Sequence, residues 1–282
     1  MRLGNLSGRA VVVLGDRAVD VEGASDGAFS SDPQSAFDDW SAFASWASTL
    51  TEGGEPFDAA ALEAPVPRPR QVFAIGVNYA LHAAEGGWAP DTAPVVFTKF
   101  PSCIVGPNVV VPLPEGNVDW EVELVVAIGA YAEKVAAADA WSHVAGLTIG
   151  QDLSERIAQM AGDRPQFSMA KSHTAFGPTG PWLVTPDEFE NPDDLAIGCS
   201  VSGDQVQSSR TANMIYSVPV LIERLSAVCA LYPGDLIFAG TPEGVGNRMS
   251  PQRFLGPDDV LVSTIEGIGT MEQRFTRASS TS

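Results

Sequence analysis

Basic charge is scarce in this chain. Lys and Arg together number 16 against 35 Asp and Glu, and a formal net charge of -19 repels a phosphate backbone rather than steering it in. Nucleic acid is therefore an unsuitable partner. Cysteine is scarcer still: Cys103, Cys199 and Cys229 are odd in number and lack paired spacing, which gives neither a disulfide framework nor a zinc site and points to a reducing compartment. No apolar run approaches the roughly 20 residues needed to cross a bilayer. Near the start, Ala10 to Val13 is a short apolar run that turns at Leu14-Gly15-Asp16, so no targeting segment is read and a cytoplasmic protein is expected. A Gly-x-Ser-x-Gly elbow is missing, and so is the Gly-Lys-Ser/Thr ending of a phosphate loop. Serine-hydrolase and nucleotide chemistry find no support.

Acidic side chains, in contrast, are placed with order. Glu121 and Glu123 flank Val122 at the mouth of the apolar run Leu124 to Ile128. On a strand they point to one side, with Cα atoms roughly 6.5 to 7 Å apart, while Trp120, Val122 and Leu124 take the other. A solvated strand face would look the same, but a third carboxylate, Asp152, closes another apolar run, Val144 to Gly150. Three oxygen donors with no Cys or His beside them suit a hard cation, Mg²⁺, Mn²⁺ or Ca²⁺, and disfavour zinc.

At 282 residues, 45% of them hydrophobic, the chain can bury a large core. Residues Arg9 to Leu14 and Ala18 to Val21 read as a hairpin, and Pro33 to Thr49 as a helix with Phe37, Trp40 and Phe43 facing a core. Turn-rich punctuation at Glu52 to Pro56 and Pro65 to Arg70 marks a boundary near residue 70. Beyond it, strands are expected at Gln71 to Gly76, Val95 to Lys99, Val109 to Val111, Glu121 to Ile128, Val144 to Gly150, Trp182 to Val184, Leu195 to Val201, Asp235 to Ala239 and Val260 to Ile265. Helices are expected at Tyr79 to Glu85, Glu155 to Ala161 and Pro219 to Ala230. The fold class is α+β, mostly β: a small N-terminal domain over 1–70, a metal-binding domain over 71–276 and a flexible tail over 277–282.

Two rare residue types stand out. His82 and Glu85 lie three apart on one helical turn, as a plain surface pair would, or as an oriented imidazole able to take a proton. The lysines are Lys99, Lys134 and Lys171, where a tunable point charge is possible that Arg cannot supply. Lys134 reads as surface charge, and Lys99 as either structural or substrate-facing. The run Gly240-Thr241-Pro242-Glu243-Gly244-Val245-Gly246 reads as a tight turn bringing backbone N–H groups and the Thr241 hydroxyl near a carboxylate.

In order along the chain, Gly76-Val77-Asn78-Tyr79 with His82 and Glu85, Phe97-Thr98-Lys99-Phe100-Pro101, Asp119-Trp120-Glu121-Val122-Glu123, Gln151-Asp152-Leu153-Ser154-Glu155-Arg156, Lys171-Ser172, Gly180-Pro181-Trp182, and Pro233-Gly234-Asp235 with Gly240 to Gly246 resemble the fumarylacetoacetate hydrolase family from about Gln71 to Gly269. The resemblance implies a C-terminal domain of rolled mixed sheets and a homodimer. It implies Mg²⁺ or Mn²⁺, with Ca²⁺ possible, held by Glu121, Glu123 and Asp152. His82, Glu85 and Lys171 would be catalytic, with Asn78, Tyr79, Arg156, Gln159, Gly240 and Thr241 binding a small 2-oxo or 2,4-dioxo acid. The implied reaction is hydrolysis of a C–C bond in an acylpyruvate-type 2,4-diketo acid, through a pyruvate-type enolate. Decarboxylation of oxaloacetate and isomerisation of a 2-oxo diacid use the same parts, and a binding protein without turnover stays as a remote alternative. Gln151, Ile157 and Ala239 depart from the commonest family wording without removing a metal ligand.

Overall fold

The apolar run after Glu121 becomes a central strand with a core on each face. In this computed structural model, which describes residues 1–87 and 94–277, the strand Val122–Ile128 is buried along its whole length. Leu124, Val126 and Ile128 join one apolar cluster with Leu147, Ile149, Ile222, Leu261 and Met271. Val125 and Ala127 join a second with Leu3, Val12, Phe43, Leu183 and Phe238. Because strand side chains alternate between faces, two-sided burial calls for an unbroken apolar run.

Among the described residues, this strand sits within a twelve-stranded sheet. Its antiparallel neighbours are Val144–Gln151 on one side and Leu236–Phe238 on the other. Leu236–Phe238 then pairs in parallel with Val72–Gly76, which pairs with Val95–Thr98. A second sheet of five strands runs in the order Asp204–Arg210, Ala196–Val201, Val260–Ile265, Gly269–Arg277, Asn108–Leu113. A two-stranded ribbon, Val118–Asp119 with Ser154–Glu155, closes over the entry to the central strand. The architecture is α+β and mostly β, as expected from the sequence.

The N-terminal segment continues the large sheet. Arg2–Leu6 pairs antiparallel with Gly177–Val184 and with Arg9–Leu14, and its Leu3 packs in the second cluster. The sheet is thus continuous across the proline-rich stretch before residue 70. Where one helix is expected over Pro33 to Thr49, there are two, a 3-10 helix Pro33–Phe37 and an α-helix Trp40–Ala47. Asp39 divides them, because its carboxylate caps the second helix by accepting from the Ala42 N–H. The aromatic stripe is core: Phe43 is buried against Phe29, Trp40 and Trp46.

The helices expected at Glu155 to Ala161 and Pro219 to Ala230 are shorter, the second running over Val218–Ser226, while the one expected at Tyr79 to Glu85 keeps its length one residue further on. Glu155 to Ala161 reduces to the single turn Arg156–Gln159, which starts at Arg156 because the Glu155 carboxylate caps the N–H groups of Ile157 and Ala158. The helix Ala80–Gly86 stops at Gly87, which adopts the left-handed conformation that ends helices. Of the expected tail 277–282, Arg277 ends the last strand and the remainder lies outside the described residues.

Candidate active site

Antiparallel pairing of Val122 with Gln151 sets the start of one strand beside the end of the other. Glu121 and Asp152 are therefore neighbours, and the Asp152 N–H donates to the Glu121 carbonyl at 2.9 Å. Carboxylate oxygens of Glu121, Glu123 and Asp152 all lie within 4.8 Å of one another, and all three residues are buried. Three anions so close in a water-poor site demand positive charge or a proton.

The protein supplies three cations. Lys171 Nζ lies 2.7 Å from Glu121 Oε2, Asp152 Oδ2 and Ser154 Oγ, which uses all three of its donors. Lys99, fully buried, donates to Asp152 Oδ1 at 2.7 Å, to the Phe176 carbonyl at 3.1 Å and to the Lys171 carbonyl. Its donors are spent on the protein, so it holds Asp152 from behind. Arg156 Nη1 meets Glu121 Oε1 at 2.7 Å and Gln159 Oε1 at 2.9 Å, while its Nε donates to Asp119 Oδ2 at 2.8 Å.

Electrostatics separate the two glutamates. Burial alone would raise the Glu121 carboxyl, but Lys171 and then Arg156 hold it down at about 2. Among the described residues no such cation pairs with Glu123. Burial, then the charges of Asp152 and Glu121, push it well above the ordinary carboxylate range, and Lys171 and the Gly240 N–H at 2.8 Å offset only part of that. Three buried carboxylates that converge within 4.8 Å, with no Cys or His among them, are a donor set that fits a divalent ion of the hard kind.

Around this cluster lie the other residues singled out by sequence. The Asn78 amide donates to the carbonyls of Ala239 at 2.7 Å and Tyr216 at 3.0 Å, and accepts from the Tyr216 N–H at 2.8 Å. It ties down a backbone in which Val77 takes φ +61°, a left-handed conformation that a β-branched residue adopts only when its surroundings force it. Tyr79 follows, buried, with a hydroxyl that meets no partner among the described residues. Burial, then the charge of Glu123, push that phenol up. Gly240 has φ +99°, and Thr241 donates to the Val122 carbonyl at 2.9 Å.

His82 and Glu85 ride on the helix Ala80–Gly86, with Nδ1 3.4 Å from Glu85 Oε2. His82 is close enough to help hold the Glu121 carboxyl down. Glu85 also receives the Gly244 N–H at 3.3 and 3.4 Å, which ties this helix to the glycine-rich turn. His173 lies in the wall, its ring 4.9 Å from that of Phe176.

Several residues here are absent from the sequence reading of the site. Asp119 accepts the N–H groups of Gly246 at 2.8 Å and Asn247 at 2.9 Å while pairing with Arg156. Ser154 completes the Lys171 triangle. Gln151 accepts the Glu121 N–H at 2.9 Å, and Gln207 the Val122 N–H at 3.1 Å. Asp119 and Ser154 lie inside family motifs and were legible there, whereas Gln207 sits in a polar edge strand that gives no signal. A surface trough lined by Ile197, Cys199, Ser208 and Thr264 opens on the second sheet and contains none of these residues.

Fold and site together define a mixed β protein with a buried tri-acidic cluster able to chelate a divalent cation. Residues 71–276 match the family model described as fumarylacetoacetate (FAA) hydrolase C-terminal. The chain belongs to the fumarylacetoacetate hydrolase family. It is 42% identical over 210 residues to the Bos taurus protein named oxaloacetate tautomerase FAHD2A, mitochondrial, covering 74% of this chain and 67% of that one. A crystal structure from Mycobacterium smegmatis, provisionally called an HpcE protein, superposes with a TM-score of 0.95 at 50% identity, over 99% of this chain and 100% of that one. Maleylpyruvate hydrolase from Sphingobium sp. SYK-6, solved in complex with manganese (II) ion and pyruvate, gives a TM-score of 0.82 at 29% identity, over 99% and 100%.

One expectation is corrected by these relatives. The cytoplasmic location inferred from the sequence is overturned by the tautomerases, which are mitochondrial by name. A short apolar run near Met1 does not decide a compartment. Among the described residues no helix is long and apolar enough to cross a membrane.

Proposed function

We propose that the protein is a divalent-metal-dependent enzyme that moves a proton at the carbon next to the 2-oxo group of a small 2-oxo diacid of the oxaloacetate type, interconverting keto and enol forms. The observation that carries this reading is that His82, paired with Glu85, lies near enough for its charge to act on Glu121, one of three buried carboxylates neutralised by Lys171 and Arg156. Mg²⁺ or Mn²⁺ held by Glu121, Glu123 and Asp152 would polarise the 2-oxo group when bound. Glu85 engages His82 Nδ1, which leaves Nε2 to take the proton from carbon 3 while the C2–C3 double bond forms, and to return it to the 2-oxo oxygen, now an enol hydroxyl. Lys171 and Arg156 balance the charge that gathers on oxygen. The unpartnered Tyr79 hydroxyl, with Gln159 and the Gly240–Thr241 turn, is assigned to substrate. The similarity to an oxaloacetate tautomerase supports proton transfer over bond cleavage.

Hydrolysis of a 2,4-diketo acid is the second reading. It is favoured by the likeness to maleylpyruvate hydrolase and would need His82 to activate water instead. One assay separates the two. Oxaloacetate enol absorbance, C3 deuterium exchange and acylpyruvate cleavage are followed with the same protein and Mg²⁺. Exchange and enol decay without cleavage support tautomerisation, cleavage alone supports the hydrolase, and neither sinks both.

The proposal places catalysis in residues 71–276 and includes a homodimer. Ile157 on the turn Arg156–Gln159, Met160 just after it, and Met169 on the one-turn helix Phe167–Ala170 that packs against it are exposed and supply apolar surface that supports association. Light scattering after gel filtration tests it, and a monomer at working concentration refutes it.

A further inference from the structure

The metal-ligand segment is held from the second sheet by one buried side chain. On the edge strand Asp204–Arg210, Gln207 is 1% exposed while both residues beyond it, Ser208 and Ser209, are not buried. Its inward aim comes from a bulge: Cys199 faces Gln207 and Ser200 faces Gln205, which leaves Val206 as an extra residue. Bulges of this kind re-aim side chains next to functional sites.

From there the Gln207 amide makes four contacts. Its oxygen accepts the Val122 N–H at 3.1 Å and the Cys199 thiol at 3.2 Å. Its NH₂ donates to Thr241 Oγ1 and to the Pro242 carbonyl, both at 2.8 Å. Thr241 in turn donates to the Val122 carbonyl at 2.9 Å. Both polar groups of Val122, the residue between Glu121 and Glu123, are thereby clamped. The same glycine-rich turn gives its Gly240 N–H to Glu123 and its Gly244 N–H to Glu85. It rests on the bulge so closely that a Cβ at Gly244 would collide with the Val206 carbonyl.

We infer that Gln207 is a positioning residue that sets the aim of Glu121 and Glu123 and the seat of the turn that engages Glu85. This rests on the metal reading above. An amide is the one side chain of this length that can accept from a peptide N–H and donate twice on the other side. Loss of it leaves a buried N–H unmet and frees the turn, so the carboxylates lose their common focus before any ligand is removed. Partners of this outer kind are worth about 10- to 100-fold in metal affinity.

The test is titration calorimetry of Mn²⁺ into wild type, Gln207→Met and Gln273→Met, with thermal melts of each metal-free protein. Gln273 is equally buried in the second sheet and donates to the Pro107 carbonyl, so its variant controls for a lost buried amide away from the carboxylates. The expected result is Mn²⁺ binding weakened about 10- to 100-fold by Gln207→Met and unchanged by Gln273→Met. Thr241→Val, which breaks the clamp from the other side, should weaken it as well, and supplies the answer if Gln207→Met does not fold. Wild-type affinity in both clamp variants, or an equal loss in Gln273→Met, overturns the inference and leaves the metal reading intact. Absence of Mn²⁺ binding by wild type overturns the metal reading and this inference with it.

Discussion

Lys99 Nζ lies 2.7 Å from Asp152 Oδ1, and neither side chain is reached by solvent. The lysine faces two carbonyls on its remaining sides and so cannot leave with the charge it neutralises. Breaking a buried pair from one side leaves the other charge unmet, which costs about 3–5 kcal/mol. Lys99→Met is expected to lower unfolding free energy by that amount in urea titrations of the metal-free protein. Added Mn²⁺ should recover part of it, because a cation at the carboxylates replaces the missing charge. A variant as stable as wild type would show that Lys99 does not carry the balance.

Acidity gives a second prediction, and its sign follows from the raised Glu123. A carboxyl whose folded pKa exceeds its unfolded value of about 4.3 stabilises the fold below that value, and the contribution is lost as pH rises through the folded pKa. Glu121 acts oppositely: held at about 2, it contributes above about 4.3 and is lost only as pH falls toward 2. Of the two, only Glu123 still changes its contribution as pH rises above about 4.3, and that contribution falls. A cation at the carboxylates competes with protons for the same oxygens. The rise in melting temperature on adding Mn²⁺ should therefore be small near the acid end and grow toward neutral pH, and Glu123→Gln should flatten that trend. A metal-induced shift that is independent of pH in wild type would contradict the assignment.

Gly240 yields a third. Its φ is +99°, and a Cβ there would come within 2.6 Å of the Asn78 Cβ and 3.0 Å of the Ile75 carbonyl. Gly240→Ala must distort the turn whose N–H holds Glu123. The expected loss is about 1–3 kcal/mol of stability, seen in thermal melts, together with weaker Mn²⁺ binding. Unaltered melting and binding would mean that the turn has room to move.

The carboxylate cluster was legible because its members lie at strand ends in consecutive motifs, and strand alternation alone aims Glu121 and Glu123 to one side. The strands Arg2–Leu6 and Asp204–Arg210 were not, because Gly4 and Asn5 interrupt one and exposed polar residues fill the other; both take their structure from pairing partners distant in sequence. The role of Lys99 was left open by sequence for a related reason. Nothing near Thr98 reveals that Asp152 and Phe176 will converge on its ammonium. Local pattern reports faces and caps, whereas the charge balance of a buried site depends on chains that meet from far apart.

Proton transfer is assigned to His82, and the final prediction separates that role from metal binding. His82 and Glu85 sit on a short helix, partly open to solvent, with the carboxylate held by Gly244 and its partner imidazole 3.4 Å away. Neither makes a hydrogen bond to Glu121, Glu123 or Asp152 among the described residues, so removing the imidazole takes away its charge near Glu121 but no ligand and no support of one. His82→Ala is expected to keep the Mn²⁺ affinity and melting temperature of wild type while lowering kcat about 10²- to 10⁴-fold, the usual worth of a positioned acid–base group. Glu85→Gln, which keeps the shape but not the charge, should lower kcat less, since the amide can still orient the imidazole through Nδ1. Calorimetry, melts and the C3 deuterium-exchange rate read these three quantities on the same samples. If His82→Ala exchanged the C3 proton at the wild-type rate, the proton would have to leave to another group, and Tyr79, whose buried hydroxyl meets no partner among the described residues, would be the next to replace.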